Sequence, residues 1–474
     1  MSMAENNYNN HLVIMAGGIG SRFWPMSTTG MPKQFVDVLG CGRTLIQLTI
    51  DRFKGVVPAE NVWVVTSEKY SDTVYEQLPD VARDHVLLEP CRRNTAPCIA
   101  YASWRIKSIN PKANIVVSPS DHIILNVEEF RRVIGSSLKF ASESDAIITL
   151  GMKPTRPETG YGYIQADLSY STARNKEIYR VDSFKEKPDV ETARKYIAQN
   201  YYFWNAGIFV WNVSTIVNAF RIYQPTLSVV FEEMLPLYGT PQEKEAIAEK
   251  FPLCESISVD YAILEKAEEI YVFPASFGWS DLGTWGSLLA NTPQDAHGNS
   301  CIGDNIHVYD TTRCIIHATE NKQVVVQGLD GYVVAEKDGR LLICRLDQEQ
   351  RIRLTTEGGD GGELLDALVG EGFHHASGYH LIDGVVLLGE EERLLARDKQ
   401  GVVVGHLATV HAAAGKPVPV GHLADPFGIA TQEGEQLRDF GKDIFGDIAA
   451  AGARIGDELL LVELLRYLQC LLRR

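Results

Sequence analysis

Short apolar runs alternate with helical patterns in the first quarter of the chain, and this alternation restricts the fold more than any other feature. The apolar runs cover residues 11–16, 62–66, 86–88 and 115–117, and the helical patterns between them include 44–53 and 96–109. Buried strands separated by helices are typical of an α/β fold with a mostly parallel sheet covered on both faces. Ligands of such sheets bind beyond the carboxyl ends of the strands, so we expect the functional residues there.

The rest of the chain divides into further regions. Mixed strand and helix patterns continue to about residue 286, and short strands with turn signals begin after residue 291. A Glu-Gly-Gly-Asp-Gly-Gly segment then has the composition of a flexible linker. We therefore predict four regions: an α/β domain at 1–290, a small all-β module at 291–356, a Gly-rich linker at 357–362, and a C-terminal module of unassigned function at 363–474. For the all-β module, a β-helix arrangement used for oligomerisation is one interpretation.

The C-terminal module has its own patterns. It contains strand-like stretches at 381–388 and 401–410 and a helical pattern from about residue 457. On that helix, polar residues recur three to four apart and leucines occupy the other faces. Such a helix needs a partner surface, either in its own domain or across a dimer, and we expect a homodimer.

Composition excludes several classes of protein. The 45 basic and 61 acidic residues leave a net charge of −16, which argues against a nucleic-acid partner. Apolar runs are short and the first residues are polar, so we expect a cytoplasmic protein without membrane contact. The eight cysteines are scattered and lack zinc-type spacing, which predicts reduced thiols.

The most informative stretch is a glycine-rich loop after the first strand. It contains Gly17, Gly18, Gly20, Ser21 and Arg22, and Lys33 follows eleven residues after Arg22. Glycines let backbone N–H groups approach phosphate oxygens, and the two cations can bind a polyphosphate. The P-loop spacing of glycine and lysine is absent, and Phe23 stands where the dinucleotide fingerprint needs a third glycine. For the glycines alone, an ordinary tight turn remains the alternative.

A carboxylate ends another predicted strand. Asp121 follows the apolar run at 115–117, after Ser118-Pro119-Ser120. Magnesium favours carboxylate and phosphate oxygens, so Asp121 is placed to hold Mg²⁺ against substrate phosphates. The adjacent His122 is interpreted as a structural hydrogen-bond partner.

The loop resembles the signature G-G-x-G-[ST]-R and P-K of the sugar-phosphate nucleotidylyltransferases. The W-P-x-S element at 24–27 and the P-K-Q-F element at 32–35 resemble the mannose-1-phosphate guanylyltransferase branch. Thr28 and Thr29 depart from a more usual arginine-containing segment. The resemblance implies a Rossmann-like nucleotidyltransferase domain with a mixed, mostly parallel sheet over residues 1–290.

Two further blocks resemble the family's nucleotide and metal segments. The E-P-x-x-R-N-T-A-P block at 89–97 implies nucleotide contacts by Glu89, Pro90, Asn94 and Thr95, beside Ala16 and the glycine-rich loop. For this block the alternative is a helix N-cap with a proline turn. The W-x-D-x-G-[ST]-W block at 279–285 implies that Asp281 is a second ligand of Mg²⁺, and its alternative is likewise a helix N-cap.

Three shorter blocks resemble the family's sugar-binding segments. These are T-G-Y-G-Y-I at 159–164, F-x-E-K-P at 184–188 and W-N-[AS]-G-[IM]-F at 204–209. They imply that backbone at Gly162 approaches the sugar, that Glu186 and Asn205 bind its hydroxyls, and that Lys187 meets its phosphate. By itself, E-K-P also reads as a solvated charge cluster.

The resemblance implies an enzyme that transfers GMP from GTP to α-D-mannose 1-phosphate, with Mg²⁺ as cofactor and Arg22, Lys33 and Lys187 as catalytic cations. Two alternatives stay open: uridylyl or thymidylyl transfer to another sugar 1-phosphate, and a non-catalytic nucleotide-sugar sensor. Some relatives carry a phosphomannose isomerase module at the C-terminus. The histidines after residue 362 lack its metal-site spacing, so we predict no isomerase activity.

Overall fold

A computed structural model describes residues 8–352, apart from 19, 186, 320 and 321, and the four strands at 379–382, 385–388, 395–398 and 401–404. The predicted linker at 357–362 and the predicted terminal helix lie outside the described residues. The homodimer and the four-region division therefore stay predictions. Within the described part, no helix combines the length and the apolar character that crossing a membrane requires.

The first two-thirds of the chain form an α/β unit. Its strands are β1 Asn10–Ala16, β2 Val62–Ser67, β3 Val86–Glu89, β4 Asn114–Pro119, β5 Ile123–Ile124, β6 Ile147–Met152, β7 Tyr163–Ser171, β8 Tyr179–Lys185, β9 Tyr202–Asn212, β10 Ile270–Ala275 and β11 Trp279–Ser280. Its helices are α1 Leu45–Phe53, α2 Ser71–Gln77, α3 Thr95–Ile109, α4 Val127–Ser142, α5 Val190–Ile197, α6 Val213–Tyr223, α7 Pro225–Met234, α8 Glu243–Lys250 and α9 Trp285–Ala290.

Nine of these strands form one mixed sheet in the order β3-β2-β1-β4-β9-β6-β10-β8-β7. The ladders are parallel from β3 through β4 and between β6 and β10, and antiparallel elsewhere. The predicted α/β class is confirmed, and the strands predicted at 11–16, 62–66, 86–88 and 115–117 all lie in the parallel half. Strand β9 runs against its neighbours β4 and β6, so its first residues lie at the edge where those strands end.

Helices cover both faces of the sheet, which explains the nearly continuous apolar runs. Along β1, Val13 belongs to one core cluster, whereas Leu12 and Ile14 belong to the other. One cluster contains Trp104 of α3, and the other contains Phe130 of α4. Two large cores of this kind hold the strand ends rigidly.

The strands after residue 299 are β12 Ser300–Ile302, β13 Ile306–Tyr309, β14 Ile315–Ala318, β15 Val324–Gln327, β16 Tyr332–Lys337, β17 Arg340–Arg345, β18 Tyr379–Ile382, β19 Val385–Leu388, β20 Leu395–Asp398 and β21 Gly401–Val404. Parallel ladders join β12 to β14 and β14 to β16, and also β13 to β15 and β15 to β21. Successive strands that stack in parallel in two sheets are typical of a solenoid-like arrangement. The predicted stretch at 381–388 is a hairpin of β18 and β19 rather than one strand.

The strands after residue 299 share a hydrophobic core with the α/β unit. Ile315 and Val333 pack in one cluster with Phe23, Val38 and Trp285. His317 also hydrogen-bonds to the carbonyl oxygen of Val38 at 3.2 Å. The segment after the glycine-rich loop is therefore packed from both sides.

Neighbouring strands approach so closely at one position that only glycine fits there. The register between β6 and β9 shifts between Thr149 and Gly151, and a Cβ on Gly151 would lie 2.6 Å from Cγ2 of Val272 and 2.9 Å from Cβ of Phe203. We expect Gly151→Ala to lower the free energy of unfolding by about 1–3 kcal/mol, because the buried strands must separate to admit the methyl group.

The matched control is Gly135→Ala on the exposed face of α4, where a Cβ meets nothing within 4 Å. Alanine favours the helix over glycine by up to about 1 kcal/mol, so this variant should be unchanged or slightly more stable. Thermal unfolding followed by circular dichroism measures both. Equal midpoints for the two variants would contradict the packing argument.

Candidate active site

The glycine-rich loop leaves β1 at the sheet edge where β4 also ends. Met15 of β1 is paired with Pro119 of β4. The side-chain amide of Gln34 donates to the carbonyl oxygens of Ala16 at 3.0 Å and Gly18 at 2.9 Å. These bonds hold the backbone of the loop beside the segment that carries Asp121.

Gly20 brings this loop onto Lys33. It has φ +67, and a Cβ there would lie 2.6 Å from Cβ of Lys33. The hydroxyl of Ser27 donates to the carbonyl oxygen of Gly20 at 2.5 Å. Ser21 and Arg22 then begin a short 3₁₀ turn, Ser21–Phe23. A side chain at position 20 is excluded both by the backbone conformation and by this contact.

Lys33 is the centre of the site. Its side chain is buried, and Nζ lies 3.0 Å from Oδ2 of Asp121. Nζ also donates to the carbonyl oxygens of Asp281 and Leu282, each at 2.9 Å. An ammonium group has three protons, and these contacts use all three. A direct contact of Lys33 with a triphosphate therefore requires it to give up one of them.

Asp121 is held ionised by this lysine. Burial alone would raise the pKa of Asp121, but the charge and the hydrogen bond of Lys33 lower the pKa below its usual value. The carboxylate is partly exposed, with Oδ1 3.9 Å from Nε2 of His122. Asp121 thus presents a carboxylate to solvent beside a buried cation, as expected for a ligand of a hard cation.

His122 has a structural role in this arrangement. Its Nδ1 accepts a hydrogen bond from the indole N–H of Trp279 at 3.1 Å, so that nitrogen carries no proton. Burial is the main cause that lowers the pKa of His122. Strand β5 pairs with β11 directly after this residue, with Ile124 opposite Trp279 and Ile123 opposite Ser280. The hydrogen bond and the short ladder join the Asp121 segment to the Asp281 segment.

Asp281 faces Tyr161. The phenol of Tyr161 donates to Oδ1 of Asp281 at 2.5 Å, and the backbone N–H of Gly283 donates to the same oxygen at 3.0 Å. Oδ2 has no hydrogen bond among the described residues. The N-cap of α9 is Thr284, whose hydroxyl accepts from the N–H of Ser287, so the N-cap alternative does not apply to Asp281.

These two carboxylates suit a magnesium ion. Within the described residues, no three His, Cys, Asp or Glu side chains are grouped to hold a metal. Asp121 and Asp281 are instead two hard oxygen donors on segments that Lys33 holds together. Magnesium is commonly bound by one or two carboxylates and completes its shell with substrate phosphates and water.

Arg22 takes a different position from Lys33. Its Nε is buried and has no hydrogen-bond partner among the described residues. Its charge acts on Glu349, whose carboxylate accepts from the N–H of Gly286 at 2.7 Å. Burial is the main cause that raises the pKa of Glu349, and the charge of Arg22 opposes it. Of the two predicted cations on this loop, only Lys33 directly contacts the segments of both carboxylates.

The predicted nucleotide wall follows β3. Glu89 ends this strand, and its Oε2 lies 3.6 Å from where a Cβ on Gly17 would be. Burial raises the pKa of Glu89 to about 7, although a hydrogen bond with Cys98 opposes the shift. The next residue, Pro90, leads into the turn before α3.

Asn94 and Thr95 begin α3. Asn94 has φ +67 and caps the helix, and its Oδ1 accepts from the N–H of Thr95 at 2.9 Å. The hydroxyl of Thr95 accepts from the N–H of Val259 at 2.9 Å. The capping alternative therefore holds for Asn94, and these polar atoms are engaged in fixing the start of the helix.

The predicted sugar residues lie at the start of β9 and around it. Asn205 accepts from the hydroxyl of Thr149 at 2.9 Å and donates to Oδ1 of Asp260 at 3.0 Å. Its backbone N–H donates to the carbonyl oxygen of Gly162 at 2.8 Å. Lys187 is exposed and has φ +44, whereas Glu186 lies outside the described residues.

Sequence reasoning missed several residues of this site. Tyr161 lies within the T-G-Y-G-Y-I block, but the resemblance assigns it no role; its ring also contacts Trp204 and Trp279. Gln34 lies within the P-K-Q-F element, which could have indicated it. Asp260 had no local signal, because its partner Asn205 is 55 positions away.

Comparisons with known proteins agree on one family. A model of the family "Nucleotidyl transferase" matches residues 11–298. The mannose-1-phosphate guanylyltransferase of Escherichia coli K12 is 34% identical over 73% of this chain and 72% of its own length. The alginate biosynthesis protein AlgA of Pseudomonas aeruginosa is 34% identical over 72% of this chain and 70% of its own length. A solved structure titled mannose-1-phosphate geranyltransferase, from Thermus thermophilus, is 31% identical, with TM-score 0.66 over 74% of this chain and 98% of that one.

The buried Glu89 predicts a pH dependence of stability. Its pKa in the folded protein, about 7, lies above the ordinary value of 4.5, so its contribution to stability is greatest below about pH 4.5 and is lost as the pH rises through 7. Glu89→Gln cannot ionise. We expect the free energy of unfolding of the unaltered protein to fall by about 1–3 kcal/mol more than that of the variant between about pH 5 and pH 8.

Thermal unfolding across this pH range measures the difference. Glu245→Gln, which changes an exposed glutamate of α8, is the matched control and should keep the pH profile of the unaltered protein. Parallel profiles for Glu89→Gln and the unaltered protein would show that Glu89 does not titrate in this range.

Proposed function

Because the chain belongs to the nucleotidyl transferase family, we propose that it transfers GMP from GTP to α-D-mannose 1-phosphate and releases pyrophosphate. The name of the Escherichia coli relative, mannose-1-phosphate guanylyltransferase, supports this choice of substrates. The observation that carries the proposal is the position of Lys33, whose Nζ contacts Oδ2 of Asp121 and the carbonyl oxygen of Asp281 directly beneath the glycine-rich loop.

The chemistry needs charge stabilisation more than proton transfer. The phosphate of mannose 1-phosphate is already anionic at neutral pH, with a second pKa near ~6, so no base has to activate it. One of its oxygens forms a bond to the α-phosphorus of GTP, and the bond from that phosphorus to the bridging oxygen of pyrophosphate breaks. Repulsion between the two anions and charge on the leaving group oppose this step.

The cationic residues answer this need in different ways. Arg22, on the turn after the glycines, is free of hydrogen bonds at Nε among the described residues and binds the triphosphate. Lys33 fixes the two carboxylate segments and adds a buried positive charge beneath them. Lys187, exposed at the end of the F-x-E-K-P block, meets the phosphate of the sugar.

Asp121 and Asp281 are the residues that would hold Mg²⁺. When bound, the ion neutralises phosphate charge and aligns the two substrates. Tyr161 and Gly283 keep Oδ1 of Asp281 occupied and thereby orient Oδ2. Lys33 lowers the pKa of Asp121, so this carboxylate needs no deprotonation at neutral pH.

The described residues proposed to contact the triphosphate, the base and the sugar lie near the same edge of the sheet. We propose that the triphosphate binds against the backbone of Ala16, Gly17, Gly18, Gly20 and Ser21, and that the base binds against Glu89, Pro90, Asn94 and Thr95. Gly162, Glu186 and Asn205 bind the sugar. The amide of Asn205 is oriented by Thr149 and Asp260, so one N–H remains for a hydroxyl.

A matrix of substrates tests the proposed activity. Four nucleoside triphosphates are combined with mannose, glucose and fucose 1-phosphates, and pyrophosphate release is measured with Mg²⁺. We expect kcat/KM to be highest for GTP with mannose 1-phosphate by about tenfold or more, since a site that hydrogen-bonds one base or sugar leaves polar groups unpaired with another.

Asp121→Asn is the control in this assay and should lose most activity without loss of fold. A preference for UTP or dTTP would favour the uridylyl or thymidylyl alternative. Binding of GTP without pyrophosphate release from any pair would favour the non-catalytic sensor.

The phenol of Tyr161 provides a finer test. Tyr161→Phe keeps the ring contacts with Trp204 and Trp279 but removes the hydrogen bond to Asp281. We expect kcat to fall about tenfold, the effect of losing one hydrogen bond to a charged group.

Tyr163→Phe is the matched control, because its hydroxyl donates to the carbonyl oxygen of Glu158 and not to Asp281. Steady-state kinetics with saturating substrates compare the two variants. An unchanged kcat in Tyr161→Phe, or equal losses in both variants, would show that this phenol does not position Asp281.

A further inference from the structure

A cavity of about 390 Å³ lies between α1, the segment before it, and the segment that joins β4 to α4. Neither Lys33 nor Asp121 nor Asp281 lines it, but His122 does. Most of its lining is apolar: Leu39, Leu48, Ile123, Ile124, Leu125 and Val127. It is therefore a space distinct from the proposed substrate site, although it shares the Asp121 segment with it.

Arg52 is the unusual polar residue of this cavity. It is buried, its Nη2 donates to the carbonyl oxygen of His122 at 2.7 Å, and its Nε donates to that of Leu48 at 3.3 Å. Its Nη1 is buried without a hydrogen bond among the described residues. A guanidinium nitrogen removed from water without an acceptor is unfavourable. An anion in the cavity could supply that acceptor after a small movement of the side chain.

Charged residues of both signs surround the cavity. Arg131 also lines it and donates to the carbonyl oxygens of Arg52 and Asp51, each at 3.1 Å. The carboxylate of Asp51 pairs with Arg43 and Lys54, and Glu128 pairs with Arg131. Asp37 also accepts from the backbone N–H of Cys41, and the charge of Asp121 acts on Arg52, so four cations and four carboxylates among the described residues surround the cavity. The overall charge is therefore balanced, and it is the buried Nη1 of Arg52, unpaired among the described residues, that favours an anionic ligand.

We propose that this cavity binds a small organic anion, with an apolar body against Leu48 and Ile124 and a carboxylate or phosphate on Arg52, and that its occupancy changes turnover. The apolar lining with one oriented charged group is the usual composition of a small-molecule site. The volume suits a ligand the size of one ring with its acid group.

The effect on turnover follows from the segment that the two sites share. Arg52 binds the carbonyl oxygen of His122, the residue directly after Asp121. Ile123 and Ile124 line the cavity and pair with Ser280 and Trp279, just before Asp281. A ligand that draws Arg52 towards itself biases the position of both carboxylates. Only this part of the inference rests on the proposed function.

Cys41 supplies a direct readout of binding. It is an exposed free thiol and lines the cavity. The rate of its modification by a small thiol reagent is measured with benzoate, phenyl phosphate or the neutral benzyl alcohol present. Cys41→Ser identifies its signal, because Cys301 is also exposed. At an anion concentration about twice its dissociation constant, we expect the rate to fall roughly threefold. Benzyl alcohol should protect much less. The anion that protects Cys41 more strongly, benzoate or phenyl phosphate, tells whether the site prefers a carboxylate or a phosphate.

Variants separate the cavity from the general charge of its surroundings. Leu48→Trp fills the space but keeps Arg52, and Arg52→Met removes the guanidinium; both should abolish protection. Arg43→Met removes a nearby cation that does not line the cavity, so protection should remain. If Arg52→Met does not fold, Leu48→Trp still decides the matter.

Turnover is then measured in the unaltered protein and in Leu48→Trp. We expect the protecting anion to change kcat of the unaltered protein at least about twofold at saturation and to leave that of Leu48→Trp unchanged. The site is overturned if neither anion protects Cys41, or if protection persists in Leu48→Trp. Protection without any change of kcat overturns the regulatory part. If an anion protects Cys41 in the unaltered protein but that protein releases no pyrophosphate, the proposed function fails and the binding site stands.

Discussion

The buried ammonium group of Lys33 is the interaction on which the site depends. It binds the Asp121 carboxylate, which follows β4, and the backbone carbonyl oxygens of Asp281 and Leu282. These two residues lie 248 and 249 positions after Lys33 in the sequence. Removing an ammonium from water costs several kcal/mol unless charge and hydrogen bonds compensate. The three oxygens provide that compensation only when all three segments are in place, so the folded sheet and the geometry of the site are coupled.

The polar groups around this lysine are mostly oriented by other protein groups. Tyr161 holds one oxygen of Asp281, Thr149 and Asp260 orient the amide of Asn205, and Gln34 fixes the glycine-rich loop. A site that must stabilise developing phosphate charge gains most from groups that need no reorganisation during the reaction. The arrangement is therefore more informative about mechanism than the residue types alone.

The same rigidity gives the proposed effector cavity a route to the chemistry. Two carboxylate segments are joined by the short β5–β11 ladder and by the bond between Trp279 and His122. Arg52 holds that ladder from the side of the cavity through the carbonyl oxygen of His122. The segment therefore has contacts with both spaces, and a change in one is transmitted by a few hydrogen bonds over a short distance.

The amino-acid sequence alone determined the alternation of strands and helices, the glycine-rich loop and the residues grouped into blocks. These are local properties, because periodicity, helix caps and turns depend on residues a few positions apart. Even there, the sequence could not tell whether Asn94 caps the helix or binds a ligand, because both roles use the same side-chain amide.

The partners of these side chains follow from the three-dimensional fold and not from local sequence. In the fold, Nζ of Lys33 contacts protein oxygens, and the charge of Arg22 acts on Glu349. The N-cap of α9 is Thr284 and not Asp281. The fold also forms the cavity beside Arg52 from segments about 70 to 80 residues apart. The physical reason is that hydrogen bonds and charge interactions act over a few ångströms, and the sheet order that brings distant segments within that range cannot be read from local patterns.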